Sequence, residues 1–91
     1  MAIAKLDTGL WATGIGLGPG QEHSWTQVDQ NYGQVRWFLA YPLALPGTER
    51  LLEIARVGEW VSTTGVRTIN VVVRNVGSST ANYGIFVAQS V

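Results

Sequence analysis

The 91-residue chain has no cysteine, one histidine, three prolines, and six basic residues balanced by six acidic ones. Without cysteine there is no disulfide to staple a small core and no thiolate metal site. With His23 as the sole histidine, a zinc centre would need carboxylates or a second chain to complete its ligands, and no metal or cofactor is expected. A formal net charge of zero lacks the basic footprint of a nucleic-acid binder. No apolar stretch reaches the roughly 20 residues of a spanning helix, so no membrane insertion is expected. Met1 to Asp7 shows neither an apolar h-region nor a cleavage site, so no signal peptide is visible and a soluble chain is expected.

What is abundant is apolar surface. Hydrophobic residues make up 46% of the chain, four of them tryptophan, and charged residues only 13%, against about 25% in ordinary soluble domains. A chain of this length forms one domain, residues 1–91, and buries roughly 60–65% of its extended surface. That core is too small to hide everything apolar, which predicts a partner, most simply another copy in a homo-oligomer.

The pattern along the chain is that of strands. Thr8 to Leu17 alternates, with Leu10 and Ala12 on one side and Trp11, Thr13, Ile15 and Leu17 on the other; Gly9, Gly14 and Gly16 would permit bulges. Gly18-Pro-Gly-Gln21 reads as a turn. His23 to Val28 follows, with His23, Trp25 and Gln27 sharing a face, and Gln30-Asn-Tyr-Gly33 turns again. Val35 to Tyr41 sets Val35, Trp37, Leu39 and Tyr41 against Arg36, Phe38 and Ala40, and Pro42 closes it. Its aromatic company makes Trp37 a core candidate; Trp11 and Trp60 suit a core or a subunit contact. Leu51 to Val57 fits a helical turn or a strand, with its branched residues favouring the strand, and Gly58 marks a candidate bulge before Trp60 and Val61. Arg67 to Arg74 is a strand with Ile69, Val71 and Val73 inward. Asn75 to Ser79 turns, and Ala81 to Ala88 returns. About seven strands at this cadence predict an all-β fold, a single antiparallel β-sandwich.

Val71-Val-Val-Arg-Asn-Val-Gly-Ser-Ser-Thr-Ala-Asn-Tyr83 resembles the strand–turn–strand signature of immunoglobulin-like domains on bacterial surface proteins, and Leu17-Gly-Pro-Gly20 is similar to their turn before a strand. The resemblance spans about a third of the chain. It implies an immunoglobulin-like β-sandwich and no particular ligand.

Catalytic constellations are wanting. His23 and Ser24 are neighbours on a strand and point to opposite faces, which is unsuited to a nucleophile–base pair. Glu22, Asp29 and Glu59 could meet in space as a glycosidase pair does, although solvated carboxylates account for them as well. The glycines of Gly14 to Gly20 lack the lysine and helix of a phosphate loop. Aromatic and polar groups do cluster: Trp25 and Tyr32 lie close in sequence to His23, Asp29, Asn31 and Arg36. A flat indole beside amide, carboxylate and guanidinium groups suits a ring with an apolar face and hydroxyl edges, which is a sugar. The expectation is therefore a non-catalytic, lectin-like carbohydrate-binding module that gains multivalency by self-association. The alternative is a structural or assembly subunit whose apolar face joins copies or a larger partner. An enzyme is the third reading.

Overall fold

The computed structural model describes residues 6–29, 36–43 and 50–90, and every regular element in them is a strand. The strands are β1 (Leu6–Leu17), β2 (Glu22–Asp29), β3 (Arg36–Leu43), β4 (Leu52–Val61), β5 (Arg67–Asn75) and β6 (Ala81–Ser90). They make two three-stranded sheets, β1-β6-β3 and β2-β5-β4, antiparallel throughout. The expected all-β class is observed. The described residues contain six strands against about seven expected. Leu52 to Val61 runs as one strand, and its register shift falls between Ile54 and Arg56 while Gly58 pairs normally with Asn70.

Alternation builds the core. On β5, Ile69, Val71 and Val73 are fully buried, as their spacing predicts. Leu17, Ala40, Tyr83 and Ile85 from the other sheet meet them in one cluster. The two layers thus face each other, and each aliphatic chain buried there is worth about 1.5–3 kcal/mol. Strict alternation fails on β1, where register shifts between Leu10 and Ala12 and between Gly14 and Leu17 change the phase. Trp11 packs inward edge-on to Phe38 at 5.1 Å, while Ile15 is 79% exposed. Trp37 departs from the core expectation. Both faces of β3 are apolar, and pairing with β6 decides between them: Trp37 sits opposite Ala88 on the outside, and Ala40 sits opposite Ile85 within. Pro42 does not end β3, which continues to Leu43 as an edge strand, where a missing N–H is tolerated.

The turns explain their residues. Gln21 N donates to Gly18 O at 3.0 Å, with Pro19 leading and Gly20 at φ +75°, the geometry of a type II turn. β4 and β5 form a hairpin in which Gly65 N donates to Ser62 O and Ser62 N to Val66 O, each at 2.9 Å. Gly65 takes the left-handed position at φ +83°. Asn75 is fully buried and acts as a clamp. Its Nδ2 donates to Leu17 O at 2.8 Å and Ser79 O at 2.7 Å, and its Oδ1 accepts from Gly77 N at 2.9 Å. The turn at 75–80 therefore carries the chain from one sheet to the other, and β5 and β6 are not partners in a hairpin.

The two outer faces differ. Across β2-β5-β4, Arg74 binds Glu22 and lies 3.5 Å from Glu53, and the two carboxylates hold its guanidinium above the ordinary pKa. Asn70 Nδ2 donates to Ser24 and Thr26 on the same face. Across β1-β6-β3 the outward side chains include Leu10, Trp37, Leu39, Tyr41, Leu43 and Phe86, all exposed.

Candidate functional site

β1 and β2 are edge strands of opposite sheets and diverge from the turn that joins them. Between them opens a cleft of about 490 Å³, lined by Thr13, Gly14 and Ile15 from β1 and by Glu22, His23, Ser24 and Trp25 from β2. The inward phase of β2 sends His23 and Trp25 toward the core, opposite Val73 and Val71. Both stop half-buried, at the level of the Tyr83 ring.

Tyr83 organises this floor. Its side chain is fully buried, and its ring lies over Gly14, its cross-strand partner, where a side chain would collide with it. Trp25 Nε1 donates to the Tyr83 hydroxyl at 2.9 Å, and His23 Nδ1 lies 2.6 Å from the same oxygen. An indole N–H only donates, so the hydroxyl accepts from Trp25, and it shares a second hydrogen bond with His23 Nδ1 whose direction follows the imidazole tautomer. Among the described residues His23 Nε2 has no hydrogen-bond partner, so this ring nitrogen is available to a ligand. The rings also pack, Trp25 perpendicular to Tyr83 at 6.4 Å and His23 tilted against it at 5.7 Å. Burial raises the phenol pKa, and the Trp25 hydrogen bond offsets part of that rise.

The cleft is thus amphipathic. Ile15 and Trp25 supply apolar surface, Thr13 and Ser24 supply hydroxyls, and Glu22 supplies a carboxylate already bound to Arg74. Of the sequence candidates, His23 and Trp25 come together here. Asp29 ends β2, its backbone paired with Arg67. Asn31 and Tyr32 lie outside the described residues. Arg36 opens β3, the far edge strand of the other sheet, where its Nε donates to Gln89 Oε1 at 3.0 Å; it does not line the cleft. Sequence reasoning missed Gly14 and Tyr83 as a pair, because they are 69 positions apart and only the β1–β6 register joins them. Comparisons with protein-family models, curated proteins and solved structures found no match.

Proposed function

We propose that the chain is a non-catalytic, lectin-like binding module, immunoglobulin-like in the broad sense, that takes a sugar ring in the β1–β2 cleft and gains avidity by self-association. The observation that carries this reading is the pinning of Trp25 and His23 by one buried hydroxyl, at 2.9 and 2.6 Å, at the floor of an open cleft. Side chains held in place before binding lose little entropy on binding. Apolar contact from Trp25 and Ile15 suits the C–H face of a pyranose, and His23 Nε2 and the threonine and serine hydroxyls suit its edge. Two engaged groups favour binding over catalysis: Glu22 is held by Arg74, and His23 Nδ1 by Tyr83. The strand–turn–strand from Val71 to Tyr83, with its Asn75 clamp, supports the immunoglobulin-like reading.

A glycan array tests this, with Ile15→Arg as the blocking variant, since Ile15 stands at the cleft mouth clear of the core. The expected result is saturable binding to a defined sugar, weakened about tenfold or more by the substitution at unchanged thermal stability. A blank array with folded protein, or unchanged binding by Ile15→Arg, would overturn it. The exposed outer face of β1-β6-β3 favours a second reading, in which joining copies is itself the function.

A further inference from the structure

We infer that the outer face of the β1-β6-β3 sheet is the contact surface of a face-to-face homodimer. The inference gives a surface to the self-association named above and stands without the sugar. Three observations select a second copy as the occupant. First, no charged side chain is described among the outward positions of these strands from Thr8 to Thr13, Trp37 to Leu43 and Asn82 to Ala88. The opposite face carries the Glu22–Arg74–Glu53 ion cluster. A copy brings no charge to strand in the contact, whereas a charged partner would find nothing to pair with.

Second, the area suffices. Leu10, Trp37, Leu39, Tyr41, Leu43 and Phe86 are 41–62% exposed. Side chains of this size offer about 100 Å² each at such exposure, so the six present roughly 600 Å² per copy. Thr8 and Ala88 add to this, toward the roughly 800 Å² per partner of a standard interface. Third, the face carries both projections and a recess. A groove of about 200 Å³, whose lining includes Thr8, Trp37, Leu39, Phe86 and Ala88, lies next to the exposed Leu10, the cross-strand neighbour of Phe86. An isologous contact needs one patch to supply both shapes. Tyr41 packs edge-on against Phe86 at 5.9 Å, which stiffens the platform, and sheets stack with aligned strands about 10 Å apart.

Light scattering coupled to size exclusion, run at tens of micromolar, tests the inference. The wild type is expected at the mass of two chains. Leu39→Glu, which places a charge mid-face without touching the core, is expected at the mass of one, with an unchanged circular dichroism spectrum. Val28→Glu makes the same change on the other sheet, at an equally exposed apolar residue, and is expected to remain dimeric. If Leu39→Glu does not fold, Trp37→Arg serves in its place. A monomeric wild type, a Leu39→Glu or Trp37→Arg protein that stays paired, or a Val28→Glu protein that dissociates equally would overturn the proposal. Sugar binding by the Leu39→Glu monomer is read separately: a blank array with an intact dimer removes the sugar reading alone.

Discussion

Replacing Gly14 with alanine probes the floor of the cleft through a single methyl group. That methyl would lie 2.1 Å from Tyr83 Cζ and 2.4 Å from its hydroxyl oxygen, far inside the ~3.5 Å at which carbon atoms meet comfortably. Gly14 has no positive φ, so the penalty is collision and not backbone strain. Neither partner yields easily: the backbones are fixed by strand pairing, and the ring is fully enclosed. Relief requires the ring to swing and release Trp25 and His23. Overpacking costs about 1–3 kcal/mol, and each released hydrogen bond about 1 kcal/mol, so a loss of about 3–5 kcal/mol is expected. A chain of this length is stable by roughly 5–14 kcal/mol, and 3 kcal/mol alone lowers the melting temperature by about 12–24 °C. Urea unfolding followed by tryptophan fluorescence measures the loss. The colliding atoms are the outer ring atoms and hydroxyl of Tyr83, so in a Tyr83→Leu background the same substitution should cost under about 1 kcal/mol. A loss below about 0.5 kcal/mol in the wild-type background, or an equal loss in both, would refute the reasoning.

Two further outcomes follow from the same structure. Asn75→Ala removes three hydrogen bonds from a fully buried side chain and should cost about 2–4 kcal/mol by thermal unfolding; Asn75→Asp should cost more, because a carboxylate would face the Leu17 and Ser79 carbonyls. Tyr83 has a raised pKa in the folded protein, against an ordinary value near 10. Its contribution to stability is therefore complete below pH 10 and declines as the pH rises above it, where the unfolded chain loses the proton first. Unfolding midpoints measured from pH 9 upward should show this decline, and Tyr83→Phe should show a shallower one.

The strands were legible where one face was plainly apolar. Ile69, Val71 and Val73 could be assigned inward from alternation alone, and His23 and Trp25 were rightly set on one face of β2. Trp37 could not be placed in this way, because Val35-Arg-Trp-Phe-Leu-Ala-Tyr41 is apolar on both sides and only pairing with Gly84 and Ala88 turns its larger residues outward. The phase of β1 was hidden by two register shifts that depend on its partner. The cleft was half legible: two of its residues are close in sequence, while its organising hydroxyl is sixty positions from His23. Asn75 read as turn chemistry, but the carbonyl it reaches at Leu17 lies 58 positions away, so its role in carrying the chain between layers needed the fold.

The position of β6 has a consequence for how the molecule is made. It is the last of the six strands to be synthesised and the middle strand of its sheet. Until it arrives, β1 and β3 have no strand to pair with, although β1 was completed some seventy residues earlier. On a ribosome adding about 5–20 residues per second, β1 waits several seconds with its tryptophan and leucines uncovered. The β4–β5 hairpin can close at once, since its strands are adjacent in sequence. Folding should therefore run in two tempos, an early local hairpin and a late closure that waits on β6. A mutation that weakens β6 would be felt first as aggregation during synthesis and only afterwards as reduced stability of the finished protein.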